Sequence, residues 1–332
     1  MKSVLITGGT GSFGRAYLKF ILKKYKKLQR IVIFSRDEYK QSEMQKEFPL
    51  KKFPNIRFFI GDVRSKERIH RALDDIDCIV HAAAIKQVPT AEYNPFEYIQ
   101  TNILGAQNII EAALDRKIKK VVALSTDKAS SPLNLYGATK LCSDKLFIAA
   151  NNIKGKRDVS FSVVRYGNVF GSRGSVVPLF QQQMQEKFFT ITDGKMTRFN
   201  ISLDDGVKMV DWVINNSLGA EIFVPKIPSY KILDLARAFK NNPKFKFVGI
   251  RPGEKLHEEM ISKSDSNNTY DIGKYYLILP NEFVLKNRKF LRKFKAKKVK
   301  FGFSYNSLDN NSFLKINELK KMIKKYTSNE NN

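Results

Sequence analysis

Residues 4–14 read Val4-Leu5-Ile6-Thr7-Gly8-Gly9-Thr10-Gly11-Ser12-Phe13-Gly14, a short apolar run that ends in a glycine-rich turn. The run predicts a buried strand, and the residues from Ser12 onward have the spacing of an amphipathic helix. Glycines in such a turn let backbone amides approach a pyrophosphate without a Cβ in the way, and the helix amino terminus adds a favourable dipole. The stretch therefore predicts dinucleotide binding rather than an ordinary turn, with cofactor contacts from Gly8, Thr10, Gly11, Ser12, Phe13 and Gly14.

Strand and helix patterns alternate along the first half of the chain. Short β-branched runs bounded by turn residues predict strands at 4–7, 30–34, 56–60, 78–81, 121–124 and 159–164. Helical spacing between them predicts helices at 12–24, 38–48, 65–73, 94–116 and 134–151. This alternation predicts an α/β fold built on a doubly wound parallel (Rossmann) sheet.

The alternation breaks near residue 172, where the segments become shorter and mixed. A chain of 332 residues with 42% hydrophobic content can form one large domain and a smaller companion. We predict a dinucleotide-binding Rossmann domain at 1–171, with 200–218 packing back on it. A smaller, discontinuous α/β substrate-binding domain is predicted at 172–199 and 219–327.

The net charge of +27 would attract anionic partners. The densest run, residues 286–300, has nine basic residues, no acidic one, and Phe290 and Phe294 between them. Such a run could follow single-stranded nucleic acid or lie on an anionic membrane. We favour the alternative of a solvated lysine-rich face, and we expect no nucleic-acid partner and no stable membrane insertion.

The remaining composition predicts a cytoplasmic enzyme. No apolar run approaches the length of a membrane span, and the amino terminus enters a predicted strand without a secretory pattern. Cys78 and Cys142, the only cysteines, suit small buried thiols in a reducing compartment. Three histidines without ligand spacing predict no metal site.

A second stretch places five groups that can move protons or charge within fifteen residues. Thr126, Asp127 and Lys128 follow a predicted strand at its carboxyl end, where open α/β sheets bind ligands. Tyr136 and Lys140 lie four residues apart on one helix face, so the ammonium can lower the phenol's pKa. The sequence predicts that all five are catalytic. The alternative for Asp127 and Lys128 is an ion pair of neighbouring loop residues.

The end of the second predicted strand bears on the choice of cofactor. An acidic residue there would bind a ribose 2′-hydroxyl, whereas Ser35 and Arg36 better suit a 2′-phosphate, which favours NADP over NAD. The alternative is that Asp37 or Glu38 makes the hydroxyl contact. Further cofactor contacts are predicted at Lys40, Asp62, Val63 and Ala82.

Several further motifs occur in order along the chain, among them KQVP at 86–89, STDKA at 125–129, RYGNV at 165–169, MTRF at 196–199 and RPGEKLHE at 251–258. Together with the glycine-rich turn they resemble the extended short-chain dehydrogenase/reductase family. Within it, the UDP-N-acetylglucosamine 4,6-dehydratases of the configuration-inverting branch, which opens pseudaminic acid biosynthesis, are most similar over roughly residues 2–276. The resemblance implies a lyase that uses NADP and UDP-N-acetylglucosamine and forms homo-oligomers, as dimers or hexamers.

Two positions argue for this branch, and a third departs from the family pattern. Lys128 after Asp127 resembles the acetamido-sugar group, because relatives that act on hexoses carry an Asp-Glu pair. Tyr136 stands where long membrane-anchored relatives often carry methionine. Asn200 stands where the family usually has tryptophan, so we expect a reshaped sugar pocket.

The chemistry expected of these residues is a dehydration. Tyr136 would take the proton of the sugar 4-hydroxyl, assisted by Lys140 and Thr126. Lys128, with a pKa depressed by burial and by neighbouring positive charge, would remove the C5 proton as a neutral amine. Asp127, kept protonated by burial, would donate to the departing 6-hydroxyl.

The resemblance also implies binding roles. Cofactor contacts would include Lys86, Tyr136, Lys140 and Val169. Guanidinium groups bind pyrophosphates with good geometry, and the sugar nucleotide would contact Lys86, Asn168, Arg173, Arg198 and Arg251.

Three alternative functions stay open. A UDP-sugar 4-epimerase would use the same tyrosine, lysine and cofactor without needing Asp127 or Lys128. A retaining or bifunctional dehydratase-epimerase of capsule or O-antigen synthesis would differ in product stereochemistry. A non-catalytic NADP-binding regulator would have no need of intact Thr126, Tyr136 and Lys140.

Overall fold

The structure is a computed structural model that describes residues 1–172, 174–285 and 287–330, with side chains to residue 328. Its strands are β1 (Ser3–Thr7), β2 (Arg30–Ser35), β3 (Ile56–Ile60), β4 (Cys78–His81), β5 (Lys120–Thr126), β6 (Ser160–Tyr166), β7 (Asn168–Val169), β8 (Phe189–Ile191), β9 (Thr197–Ile201), β10 (Ile222–Pro225), β11 (Ser229–Lys231), β12 (Phe245–Phe247), β13 (Glu259–Ile261), β14 (Thr269–Asp271), β15 (Tyr275–Ile278), β16 (Lys297–Lys298) and β17 (Tyr305–Asn306).

The α-helices are α1 (Ser12–Lys24), α2 (Glu38–Glu47), α3 (Lys66–Ala72), α4 (Val88–Tyr93), α5 (Pro95–Tyr98), α6 (Gly105–Asp115), α7 (Leu135–Ile153), α8 (Val176–Gln182), α9 (Leu203–Asn216), α10 (Ile232–Phe239), α11 (Asn281–Val284), α12 (Arg288–Lys293) and α13 (Ile316–Glu330). A π-helical turn spans Ile99–Leu104, and 3₁₀ turns span Asp127–Ala129, Gln183–Gln185 and Ser264–Asn268.

One large sheet holds the fold together. Its ten strands run in the order β16-β14-β15-β10-β6-β5-β4-β1-β2-β3, and the seven from β10 to β3 are parallel. Strands β1, β4 and β6 are buried along their whole length, and the first two are apolar apart from their ends, whereas β6 also buries Ser160, Ser162 and Arg165. The predicted doubly wound α/β fold is confirmed. Strand order reverses beside β1, where such sheets bind their ligands.

The helix predicted at 94–116 is not continuous. Helix α5 passes through the π-helical turn before α6 begins, and the turn buries Asn102. The Asn102 side chain accepts from the Ile85 amide at 3.0 Å and donates to the Ile85 carbonyl at 2.9 Å and to Thr139 Oγ1 at 3.1 Å. A π-helical turn often marks a functional region, and this one ties the loop after β4 to α7.

Three small sheets lie at the carboxyl ends of the large one, with strand orders β11-β9-β7, β12-β8 and β13-β17. Strand β7 follows β6 of the large sheet directly and pairs with β9, so it connects the two regions. A second apolar core, which includes Phe180, Phe189 and Leu235, supports β8, β11 and β12, whereas Ile261 of β13 and Tyr305 of β17 belong to the main core.

The division into two domains stays a prediction, but the sheet crosses its boundary. Helix α9 lies against α1, where Asp211 accepts from Tyr25 Oη at 2.6 Å, so 200–218 does contact the first half. Strands β10, β14, β15 and β16 belong to the large sheet although they fall within 219–327. The apolar run Ile222–Pro225 pairs in parallel with β6 and extends the core on that side.

The aromatic residues of the basic run face inward. Phe290 is buried, and the Phe294 ring lies 4.6 Å from it and 5.3 Å from Trp212. They are therefore not placed to stack on nucleic-acid bases, which fits the solvated-face interpretation; Lys286 lies outside the described residues. Within the described residues, no helix has both the length and the apolarity to cross a membrane.

The two thiols differ in exposure. Cys78 is buried in β4, as predicted. The prediction was wrong for Cys142, which is exposed on α7.

Candidate active site

A cavity of about 1100 Å³ lies between the carboxyl ends of the large-sheet strands and the small sheets. The glycine-rich turn, the loops after β2 and β4, the end of β5, the start of α7, strand β7 and residues 251–255 all line it. It brings together every predicted site residue except two. Arg173 lies outside the described residues, and Gly14 lies behind the turn. A Cβ on Gly14 would come 2.3 Å from the Gly9 carbonyl oxygen, so Gly14 serves packing rather than cofactor contact.

The glycine-rich turn forms a cradle of bare backbone. Gly8 has a φ of +63°, and a Cβ there would lie 2.9 Å from the Ala83 amide nitrogen and 3.0 Å from the Ala82 carbonyl. Thr7 Oγ1 accepts from the amides of Ala82 and Ala83, each at 3.1 Å, which fixes the two loops together. The turn opens onto the amino terminus of α1, so the residues present fit a dinucleotide pyrophosphate.

The end of β2 and the start of α2 bring a hydroxyl, two cations and a paired carboxylate to the cavity. Ser35 Oγ lies 2.9 Å from Thr10 Oγ1, and Arg36 Nη1 lies 3.6 Å from Asp62 Oδ2 with the Arg36 side chain 59% exposed. Asp37 caps α2 by accepting from the Lys40 amide at 2.9 Å and also pairs with the Lys40 ammonium. Because Lys40 already binds both Asp37 oxygens and lowers its pKa, the alternative ribose contact by Asp37 would have to break that pairing.

The end of β5 is locked to α7 by a buried network. Ser125 Oγ donates to Asp144 Oδ2 at 2.8 Å, and Arg165 Nη2 donates to the same oxygen at 3.1 Å. A Cβ on Gly137 would lie 2.3 Å from the Lys128 carbonyl oxygen, so a glycine is needed for this close approach of helix and turn. These contacts hold Lys128 and the start of α7 in one fixed arrangement.

The catalytic candidates form one hydrogen-bonded cluster at that junction. Thr126 Oγ1 donates to Asp127 Oδ1 at 2.9 Å, and Lys128 Nζ lies 3.1 Å from the same oxygen. Tyr136 is 8% exposed, and the Thr126 hydroxyl beside it acts to lower the pKa of its phenol. The ion pair weighed as an alternative for Asp127 and Lys128 is therefore present, but it stands inside the cavity and not on a surface loop.

The phenol of Tyr136 differs from expectation in its pKa. Burial raises that pKa to about 12, while the charge of Lys128 and the Thr126 hydrogen bond act in the opposite direction. The expectation that Lys140 lowers the pKa of Tyr136 was wrong for the protein without ligands. Lys140 Nζ instead donates to the Leu124 carbonyl at 2.8 Å. Burial in turn lowers the pKa of Lys140.

The two residues after Thr126 depart from their ordinary pKa values in the same direction. Burial raises the pKa of Asp127 against the effect of Lys128, which agrees with a protonated acid. Burial disfavours the Lys128 ammonium, but Asp127 and Glu258 together outweigh it and raise the pKa of Lys128. The expected depressed pKa of Lys128 was wrong, because Asp127 and a second acidic residue both face its ammonium.

That second carboxylate, Glu258, was not identified from the sequence. Its side chain is 3% exposed, and its Oε1 lies 3.2 Å from Lys128 Nζ and 3.6 Å from Arg198 Nε. Glu258 is the last residue of the RPGEKLHE motif, in which Arg251 is the predicted site residue. Its position 130 residues after Lys128 gives no spacing signal, so the fold alone brings them together.

The predicted substrate-binding residues are differently engaged. Arg198 is buried and donates to the carbonyls of Thr197 at 2.8 Å and Leu256 at 3.0 Å and to Glu254 Oε1 at 3.2 Å. Arg251 is exposed at the cavity edge. Lys86, Asn168 and Val169 also line the cavity, and burial lowers the pKa of Lys86.

Asn200 does not line the cavity. Its Nδ2 lies 3.6 Å from Met322 Sδ of α13, so the expected reshaping of the sugar pocket is not a direct contact. Among the described residues, no group of three or more His, Cys, Asp or Glu side chains is placed to hold a metal ion.

Residues 4–280 match the family described as "Polysaccharide biosynthesis protein". A relative from Campylobacter jejuni subsp. jejuni serotype O:2 is 55% identical over 97% of both chains and is named UDP-N-acetylglucosamine 4,6-dehydratase (inverting). A Rickettsia bellii relative, 46% identical over 83% of this chain and 82% of its own, is named UDP-glucose 4-epimerase.

Two solved structures resemble the whole chain. Pen from Bacillus thuringiensis has a TM-score of 0.87 and 38% identity, with 98% of each chain covered. DesIV, a dTDP-glucose 4,6-dehydratase from Streptomyces venezuelae solved with NAD and TYD bound, has a TM-score of 0.72 and 19% identity over 99% of this chain and 98% of its own. The second likeness carries the fold alone.

Proposed function

Because this chain belongs to the polysaccharide biosynthesis family of extended short-chain dehydrogenases/reductases, we propose that it is a UDP-N-acetylglucosamine 4,6-dehydratase that inverts C5. The product would be UDP-2-acetamido-2,6-dideoxy-β-L-arabino-hexos-4-ulose. As a further proposal that rests on the sequence resemblance, this product would supply pseudaminic acid synthesis.

The observation that carries the proposal is the shared cavity of Tyr136, Asp127 and Lys128. A 4-epimerase needs the tyrosine and the cofactor, but it has no use for an additional acid and base beside them. Asp127 with a raised pKa and Lys128 within 3.1 Å of it supply such a pair. The dehydratase is therefore preferred to the epimerase that the Rickettsia relatives' name suggests.

The chain's residues would divide the proton transfers between them. When bound, the nicotinamide cofactor supplies hydride chemistry, accepting at C4 and returning at C6 of the same sugar. Tyr136 takes the proton of the sugar 4-hydroxyl once its own phenol has given up a proton, since the neutral phenol is the resting form, and the neighbouring Thr126 hydroxyl favours the resulting phenolate. Lys140 holds the strand end through the Leu124 carbonyl.

Loss of water from C5 and C6 would fall to the neighbouring pair. Lys128 takes the C5 proton once it has itself given up a proton, since its ammonium is the resting form. Asp127, kept protonated by burial, donates to the 6-hydroxyl as it departs. Reprotonation of C5 on the opposite face gives the inverted sugar.

NADP is the cofactor that we propose within the nicotinamide class. Ser35, Arg36 and Lys40 line the cavity at the end of β2, where a ribose 2′-phosphate would lie. The Asp37 carboxylate is occupied by α2 and by Lys40, which supports a phosphate over a free hydroxyl at that place. Arg251 at the cavity edge would bind the pyrophosphate of the UDP-sugar.

The test is to incubate the purified protein with UDP-N-acetylglucosamine in heavy water and follow the sugar by NMR. We expect a 6-deoxy-4-keto sugar that carries deuterium at C5 in the L-arabino configuration, without net accumulation of reduced cofactor. A D-xylo product would place the enzyme in the retaining branch, and an epimer that keeps its 6-hydroxyl would make it a 4-epimerase.

A variant separates the dehydration from cofactor binding. Lys128→Ala should bind NADP as the wild type does and lose the elimination of water. Near-normal turnover by Lys128→Ala would remove Lys128 from the mechanism. Absence of turnover by the wild-type protein with any UDP-sugar, despite bound cofactor, would favour the non-catalytic regulator.

A further inference from the structure

A buried carboxylate that the proposed mechanism does not use faces the proposed base. Glu258 lies in the segment between α10 and β13, while Lys128 lies in the 3₁₀ turn after β5. Glu258 Oε1 is 3.2 Å from Lys128 Nζ, and Asp127 Oδ1 is 3.1 Å from the same nitrogen. The Lys128 ammonium is therefore held between two carboxyl groups that come from different parts of the chain.

Because Glu258 is buried, its charge depends on the cations that lie beside it. Its side chain is 3% exposed, and its Oε2 has no hydrogen-bond partner among the described residues. A carboxylate removed from water in this way costs free energy unless it serves as a partner for nearby charge. Arg198 Nε at 3.6 Å is the second cation beside it, but Arg198 also donates to Glu254 and to two backbone carbonyls. Lys128 therefore provides the closest cationic partner for Glu258.

We propose that Glu258 is a positioning residue for Lys128, fixing its side chain beside Asp127 and setting the pH at which it becomes a base. The inference rests on the proposed dehydratase function. Glu258 belongs to the segment 251–258, which also lines the cavity. Lys128 therefore has both of its acidic neighbours only when that segment is folded against the cavity.

Other charged or titratable groups also face Lys128, and their effects on its pKa remain when the Glu258 charge is removed. They come from its own turn, the loop after β4, β9, β11, α7 and the segment 251–258: Asp127, Lys86, Arg198, Tyr230, Tyr136, Lys255. Asp127 and Glu258 are the carboxylates within hydrogen-bonding distance. Removing the Glu258 charge should therefore leave Lys128 easier to deprotonate.

The test is the pH dependence of C5 deuterium incorporation and of kcat in Glu258→Gln. A neutral Lys128 is the active form, so the rate rises as pH passes through the Lys128 pKa. An opposite charge at this distance shifts a pKa by about 1–3 units, so the rising limb should move to lower pH by about that amount. The plateau kcat should fall about tenfold or more, with KM for the UDP-sugar little changed, because the side chain loses one of its two anchors.

Two further variants make the outcome decisive. Glu258→Asp keeps the charge and withdraws it by one methylene, so its limb should move by less than half as much. Glu259→Gln removes a charge one residue along, where Glu259 accepts from Ser131 Oγ at 2.8 Å outside the cavity, and it should leave the limb in place.

Cofactor binding, followed by fluorescence, establishes that each variant is folded. A folded Glu258→Gln protein whose limb stays at the wild-type pH overturns the inference. If Glu258→Gln does not fold, the test relies on Glu258→Asp. A Glu258→Asp protein with the pH profile and the kcat of the wild type would then overturn the inference. Failure of the wild-type protein to form the 6-deoxy-4-keto sugar would instead refute the proposed function.

Discussion

Replacing Lys128 by Met should destabilise the protein in a pH-dependent manner. Methionine keeps the length of the side chain but removes the ammonium from between Asp127 and Glu258. Glu258 is then left 3% exposed, with Arg198 Nε at 3.6 Å as its remaining cation. Breaking a buried ion pair by removing one partner costs about 3–5 kcal/mol. Since Arg198 remains and the Lys128 side chain is 26% exposed, we expect about 3 kcal/mol near neutral pH.

The pH dependence follows from the carboxylates. Against the opposing effect of burial, Lys128 and Arg198 lower the pKa of Glu258 in the wild type, so this group stabilises the fold above its unfolded pKa of about 4.3 and loses that effect as pH falls. In Lys128→Met the Glu258 pKa rises above that of the unfolded chain, and the penalty is relieved once the carboxyl protonates. The difference from wild type should therefore shrink to about 1 kcal/mol near pH 5.

Urea denaturation of both proteins at the two pH values measures this difference. Lys145→Met, at an exposed position on the same helix as Tyr136, is the matched control and should change stability by less than about 0.5 kcal/mol at either pH. Adding Glu258→Gln to Lys128→Met should restore part of the loss, because both charges are then absent. An equal destabilisation at both pH values would refute the reasoning.

Three further changes test the remaining parts of the site. Gly8→Ala places a Cβ 2.9 Å from the Ala83 amide at a φ of +63°, so stability should fall by about 1–3 kcal/mol and the cofactor-induced rise in melting temperature should disappear; an unchanged rise would contradict the cradle. Tyr136→Phe should lower kcat about 10²–10⁴-fold in the NMR assay with unchanged cofactor affinity, and a smaller loss would argue against its role as the base. Arg36→Ala should raise the Kd of NADP about tenfold in a fluorescence titration and leave that of NAD unchanged, because a charge-assisted hydrogen bond at a 59% exposed side chain is worth about 1.5 kcal/mol; equal effects on both cofactors would argue against a 2′-phosphate site.

Local sequence was sufficient for the sheet and for most of the cavity lining. The central strands β1 and β5 are buried on both faces, so Val4-Leu5-Ile6 and Val121-Val122-Ala123 had to be apolar runs. The glycine-rich turn is required by approaches of under 3.0 Å at Gly8 and Gly14, which exclude a side chain. Tyr136 and Lys140 share a face because they lie one helical turn apart.

Sequence patterns did not predict which sheet a strand joins when its partner strands lie far away along the chain. The strands of 219–327 that extend the large sheet are short, and the sequence does not state which sheet they join. The π-helical turn at Ile99–Leu104 also escaped prediction, because it depends on the bonds of Asn102 to Ile85 and Thr139.

The sequence by itself determined the fold class, the nucleotide-binding turn and the five clustered groups from Thr126 to Lys140, because each depends on residues within one or two elements. Only the tertiary structure decided the electrostatic state of those groups. The pKa of Lys128 is raised by its neighbour Asp127 and by Glu258, which lies 130 residues further along the chain, and the pKa of Tyr136 is raised by burial. Charge interactions act through space and burial depends on the whole fold, so neither can be read from neighbours along the chain.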